Sequence, residues 1–365
     1  MGARTQAGGG RIALFDNLKG MLIILVVVGH VMHPVHSENP ALSTLFDLIY
    51  LFHMPLFVLL SGLFAKGAWR PAADGGHGRL NVNRIISFVV LGLAYQVALL
   101  AINGVLLEQP GRILLFSSAP WYLIAMAWWY LMTPALAKLG PARGMAVALA
   151  PSLAWGCVDM SRGFLALSRT FAFLPCFALG YYLTTERLMR LRQRPTLWLA
   201  VAAAALIMLA RIVDEHAYDA FFPLVYGDNP YDDLELLTIA ETMPAALAEP
   251  LSGAVQKLLT LGLAGVCSLA ALKLAPKRRF WLTTLGERTL QVYVLHRIIR
   301  AWLTFHTPFY SWPLLLEPVP GLLIILGLSA VITAVTALPV FSRPFSRFLA
   351  IRWLPERRDE TEYRS

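Results

Sequence analysis

Arg11 to His36 reads RIALFDNLKGMLIILVVVGHVMHPVH, an apolar run long enough to enter a bilayer that carries Asp16, Lys19 and His30. On a helix at about 100° per residue, the eleven residues from Lys19 to His30 make three turns with about 20° left over, so both side chains share a face roughly 16 Å apart. That places a cation near one membrane surface and an imidazole well inside. Burying such groups without partners costs roughly 2.5 to 3.5 kcal/mol each on insertion scales, so ionisable residues in a membrane helix point to a functional pathway. Asp16 is three residues before Lys19 and can meet it as an ion pair.

The rest of the chain agrees with a membrane reading. The chain has 365 residues, of which 57% are hydrophobic and 15% charged, and its mean hydropathy is +0.60; a soluble domain carries about 25% charged residues. Hydropathy gives an all-α polytopic protein of about ten transmembrane helices. The segment cores are 18–31, 42–64, 85–107, 121–139, 145–158, 171–183, 197–212, 251–274, 280–296 and 318–340. The expected organisation is a disordered cytoplasmic leader (1–12, Gly-rich), one transmembrane domain (13–350) and a basic tail (351–365). No cleavable signal peptide is expected, because the first apolar run leads directly into further spans.

The net charge of +9 follows membrane topology rather than nucleic-acid binding. Lys66, Arg70, Arg79 and Arg84 fill the second connection, Arg187 to Arg194 the sixth, and Lys273 to Arg279 the eighth. The long connection from Asp214 to Pro250 is instead acidic and rich in aromatic residues. Positive-inside reasoning puts both termini in the cytoplasm of a cell-membrane protein. Tyr, Phe, Asp and Asn in the acidic connection suit a polar, ring-shaped ligand held by stacking and hydrogen bonds. Cys157, Cys176 and Cys267 lie far apart in or near apolar segments and are expected to be free, buried thiols.

No soluble-enzyme fingerprint is present: there is no GxGxxG, P-loop, HExxH or GxSxG. The chemistry must come from the spans. His30, His33 and His36 cluster at the outer end of the first helix, but no Cys or obvious carboxylate completes a metal set, so no metal is expected. A neutral imidazole can take a proton from an alcohol at neutral pH. His53 in the second segment needs a polar neighbour, for which the His30 region is a candidate, and Pro55 should kink that span. Ser61 and Gly62 read as close helix packing. Trp121, Tyr122, Trp128, Trp129 and Tyr130 read as an interfacial aromatic belt, while Tyr293 and His296 sit one turn apart and line a cavity or anchor a helix.

Taken together, Lys19 to His30, FHMPLFVLLSGLF (52–64), FLPCFALGYYL (173–183) and LGERTLQVYVLH (285–296) resemble the acyltransferase-3 family of integral membrane acyltransferases, most closely its fucose 4-O-acetylase-like branch. The first stretch is similar to the family's Arg-x10-His signature, with Lys19 in the arginine's place. Lysine keeps the charge and loses the planar fork. The resemblance implies acetyl-CoA as donor and a glycan or lipid-linked sugar hydroxyl as acceptor, with no nucleic-acid partner. The expected catalytic residues are His30 as general base, His53 and Asp16. Lys19 and Arg11 are expected to hold the donor, and Ser61, Trp121, Arg169, Tyr293 and His296 the acceptor. His53, Tyr293 or His296 is expected to stabilise the oxyanion. The alternative reading is a secondary transporter of a sugar or organic anion, also built from about ten helices with buried charges.

Overall fold

The first apolar run forms one uninterrupted helix, α1 (Ala13–Met32), at the centre of the molecule: Leu14, Leu18, Leu22, Ile23, Val27 and Val31 are each at most 1% exposed. The computed structural model describes residues 12–71, 78–158, 163–238 and 240–355; Arg11, expected to hold the donor, lies outside them.

Downstream, α2 (Pro40–Tyr50) and α3 (His53–Phe64) form the second apolar segment. Asn39 starts α2 as an N-cap, its Oδ1 accepting from the N–H groups of Ala41 and Leu42 at 3.0 and 3.1 Å, with Pro40 in the first turn where no N–H is needed. The kink expected at Pro55 is instead a break at Leu51 and Phe52. The helix ends at Tyr50 and restarts at His53, which leaves Pro55 in a first turn where its missing N–H costs nothing. The carbonyl of Ile49 at the break accepts from the His53 Nδ1–H at 2.8 Å.

Strands β1 (Trp69–Arg70) and β2 (Arg79–Leu80) make a small antiparallel pair before α4 (Val82–Ile102) and α5 (Trp121–Ala154). Helix α5 runs through two of the expected segments and kinks at Gly140, whose φ of 72° suits glycine and precedes Pro141. Then come α6 (Leu167–Ala172), α7 (Leu174–Tyr182), α8 (Thr185–Gln193), α9 (Leu197–Val213), α10 (Ala245–Leu274), α11 (Trp281–Glu287), α12 (Thr289–His306), α13 (Pro318–Thr336) and α14 (Pro339–Leu349).

Among the described residues, five helices are long and apolar enough to cross a membrane, and six if α8 and α9, bent by 83°, form one span. Several of the ten apolar segments do not correspond to single helices. Segment 171–183 is broken at Phe173 ahead of Pro175, and 280–296 is broken at Arg288. The outward faces remain apolar: Leu199, Leu206 and Ile212 on α9 and Val319, Leu323 and Val331 on α13 are each more than half exposed, as lipid-facing surfaces are.

Helices α3 and α7 cross at backbone contact. A Cβ on Gly62 would collide with the carbonyl oxygen of Phe177, and one on Gly180 with that of Leu59. Small residues at a membrane helix crossing let the backbones touch. Gly180→Val is expected to cost well over 2 kcal/mol of stability through overpacking. It should abolish accumulation of folded protein in detergent, measured by fluorescence-detected size exclusion; normal recovery would contradict the crossing.

Charge divides by end. Lys19 lies over the Phe64 ring at 5.3 Å, so α1 and α3 run antiparallel and bring the basic connections after α3 and before α4 to the Lys19 end. Asn17 donates to the carbonyls of Pro276 and Arg278 at 2.8 and 2.9 Å, and Arg192 to those of Leu272 and Ala275 at 3.0 and 2.7 Å. These bonds gather the other basic turns there. At the His30 end, Arg211 of α9 pairs with Asp47 of α2 at 2.6 Å, and the acidic connection that follows α9 covers that end.

Candidate active site

Asn17 through His30 lie on one helix, yet the chemistry gathers only at its far end. A cavity of about 330 Å³ is lined by His30, His33, His53, Trp121, Arg169, Tyr226, Tyr293, Arg297 and Arg300 among others. The walls come from α1, α2, α3, α5, α6 and α12, with Val225 and Tyr226 of the acidic connection completing the lining.

Behind His30 stands His296, with Nδ1 of the former 2.8 Å from Nε2 of the latter. The rings are nearly coplanar in orientation, at 8° between planes. Hydrogen-bond direction follows from the last partner: His296 Nδ1 is 2.7 Å from the carbonyl oxygen of Val292, which can only accept. With both imidazoles neutral, His296 carries its proton on Nδ1 and accepts at Nε2, so His30 must donate from Nδ1. The Nε2 of His30 is then left as an unprotonated lone pair. This is the form a general base needs, held by a second group as in other nucleophile-activating sites.

His53 shares the cavity, and its polar partner is the Ile49 carbonyl rather than His30. The three side chains expected to donate to an oxyanion are committed elsewhere. His53 donates to Ile49, Tyr293 donates its hydroxyl hydrogen to the carbonyl of Ala119, and His296 donates to Val292.

Trp121 is 8% exposed and Trp129 fully buried, which removes the aromatic belt. Trp129 Nε1 donates to Thr170 O at 2.9 Å, and Trp121 stacks on Phe173 with the Arg169 guanidinium 5.5 Å from its ring. These rings are core and cavity wall because α5 packs inside the bundle instead of against lipid. Arg169 ties the wall to the acidic connection. It pairs with Asp228 at 2.6 Å and donates to Tyr226 O at 3.1 Å and to Ser117 O at 2.8 Å. Burial pushes the Asp228 carboxyl above its ordinary range while the Arg169 charge works against that rise. The Tyr226 hydroxyl is pushed up to about 12, chiefly by burial, so it faces the cavity as a neutral group.

Other expected residues lie apart. Ser61 donates to Phe57 O at 2.8 Å and bonds the Tyr122 hydroxyl at 2.5 Å, and it is not part of the cavity wall. Asp16 pairs with Lys19 at 2.6 Å, about 20 Å along α1 from His30. Cys157 is exposed, not buried, and all three cysteines are free. The sequence reading missed Arg297 and Arg300. The signal was present, since two arginines in RIIR directly after His296 continue its helix face inside an apolar protein.

A family model described as an acyltransferase domain, of the acyltransferase-3 type, matches residues 12–338. The chain is 45% identical over 69 residues to the nodulation protein NolL of Sinorhizobium fredii (strain NBRC 101917 / NGR234), covering 18% of this chain and 19% of that protein. It is 46% identical over 57 residues to the nodulation protein NolL of Mesorhizobium japonicum (strain LMG 29417 / CECT 9101 / MAFF 303099), covering 15% of each. The matches thus span less than a fifth of the length of these curated relatives. No solved structure matches the chain.

Proposed function

The chain belongs to the acyltransferase-3 family, and from that premise we propose that it is an acyltransferase that moves an acetyl or other short acyl group from acyl-CoA to a sugar hydroxyl of a cell-envelope or exported glycan, as in the fucose 4-O-acetylase-like branch. The observation that carries the reading is the chain His30–His296–Val292, which leaves Nε2 of His30, a residue of the wall of a cavity of about 330 Å³, as a free lone pair.

The residues at the Lys19 end fit an anionic donor. Lys19 stands among the basic turns gathered there, and a second cavity of about 620 Å³ is lined by Arg70, Arg79, Asn81 and Asn83 on the same side. Phosphate binds such cations and amide donors. The roughly 16 Å from Lys19 to His30 is of the order of an extended acyl-pantetheine arm, and with the basic turns inward both termini face the cytoplasm of the cell membrane. When bound, acyl-CoA supplies a carbonyl activated as a thioester. The chain holds the acceptor hydroxyl against His30 Nε2 and takes its proton as the ester bond forms. It returns that proton to the departing sulfur as the thioester bond breaks. His296 keeps His30 in the reactive tautomer throughout.

The test is transfer of label from radiolabelled acetyl-CoA into glycans in inverted membrane vesicles. Incorporation that requires His30 supports the reading, and uptake of a sugar or anion with no transfer would return it to a transporter. At the other end, Lys19→Ala is expected to raise the KM for acetyl-CoA about tenfold with kcat little changed, and Lys19→Arg to restore most of the affinity. Loss of activity with unchanged donor affinity would refute the phosphate role.

A further inference from the structure

Two guanidinium groups stand in the wall of the His30 cavity with no carboxylate beside them. Arg297 and Arg300 are one turn apart on α12, and among the described residues no Asp or Glu lines the cavity. The third arginine of the wall, Arg169, is matched by Asp228. Neither Arg297 nor Arg300 has such an ion pair among the described residues. Their hydrogen bonds go to neutral acceptors. Arg297 Nη2 donates to Ser118 Oγ at 3.2 Å, and Arg300 donates from Nε to His30 O at 3.2 Å. Arg297 Nη1 is buried and donates to nothing, and Arg300 is 8% exposed.

A guanidinium does not shed its charge by losing a proton, and a buried charge without a partner is costly. An unsatisfied buried donor on a cavity wall is a place where a ligand atom belongs. The oxyanion of acyl transfer does not fill this role, because it exists only briefly and amounts to one charge against two standing cations. A forked donor pair one turn apart is matched by the two oxygens of a carboxylate or phosphate.

We propose that Arg297 and Arg300 form an anion subsite, and that the acceptor carries a carboxylate or phosphate group close to the hydroxyl that is acylated. This rests on reading the cavity as the acceptor site. The carboxylate of an acidic sugar and the phosphate ester of a sugar share the required chemistry, and a cavity at the small end of ligand sites holds one ring with its substituent.

The experiment uses the full chain in detergent, with His30→Ala as background so that nothing turns over. Glucuronate, glucose 1-phosphate and glucose are titrated by calorimetry, with and without saturating CoA. At least one anionic sugar is expected to bind tenfold or more tightly than glucose, and the better of the two identifies the group. Arg300→Met and Arg297→Gln should each remove most of that preference; Arg297→Gln keeps a donor for Ser118 and so guards against a folding failure of the other variant. Equal binding of all three sugars, no binding of any, or an unchanged preference in both variants overturns the subsite. So does loss of the preference when CoA is present, which would assign the two arginines to the donor's phosphates. Failure here with His30-dependent transfer intact leaves the acyltransfer reading standing, whereas an anion preference with His30-independent transfer removes the base instead.

Discussion

His30→Ala is expected to lower kcat for acyl transfer by about a thousandfold or more, with the KM for acetyl-CoA within a few fold of wild type. General base catalysis contributes roughly 10² to 10⁴ in rate, and each factor of ten corresponds to about 1.4 kcal/mol of barrier. The proposed base, His30, has its tautomer set by a hydrogen-bond chain through His296 to the Val292 carbonyl. The substitution leaves the His30 carbonyl in place, so the bond it accepts from Arg300 survives and folding should change little. His30→Gln, which can hydrogen-bond but cannot carry the proton through, should be as inactive as His30→Ala. Rates near wild type in either variant, at normal membrane insertion, would remove His30 from the mechanism.

His296→Phe comes second, at a loss of about a hundredfold in kcat. In the proposed mechanism His296 acts through His30, as a positioning residue. Phenylalanine fills much the same volume among buried neighbours yet offers no acceptor, so His30 Nδ1 loses its partner and the ring is free to rotate or to move its proton to Nε2, the unreactive arrangement. His296→Gln supplies a side-chain oxygen where Nε2 stood, and activity within about tenfold of wild type is expected. A purely steric role would make Phe the milder replacement. Measuring kcat and KM for both variants decides, because only the hydrogen-bonding account ranks Gln above Phe. The wild-type dyad gains from its setting, since His296 is fully buried and water does not compete for its bonds.

How much of this the sequence carries differs from residue to residue. Lys19 and His30 sit eleven residues apart in one apolar run, and helical period alone puts them on one face. Ser61-Gly62 reads as close packing because small residues in apolar spans have little else to do, and Gly62 does meet the α7 backbone. Trp121 misleads for an equally physical reason: aromatic residues favour a membrane interface and a protein core alike, and local sequence does not say which environment the helix enters. The apolar segments likewise differ from the helices one for one, because hydropathy registers apolar length but not the breaks at Phe173 and Arg288.

By itself the sequence determined that this is an apolar, all-helical membrane chain whose motifs occur in the order of the acyltransferase-3 family, with its basic turns separated from its acidic connection. Those properties depend on composition and on short-range periodicity, which folding does not alter. The tertiary structure alone decided that His296, 266 positions away, stands behind His30, that the Val292 carbonyl sets the direction of both protons, and that Arg297 and Arg300 face the cavity without a counter-charge. Hydrogen-bond direction and charge balance belong to groups brought together by packing, and no local pattern encodes which partner each will meet.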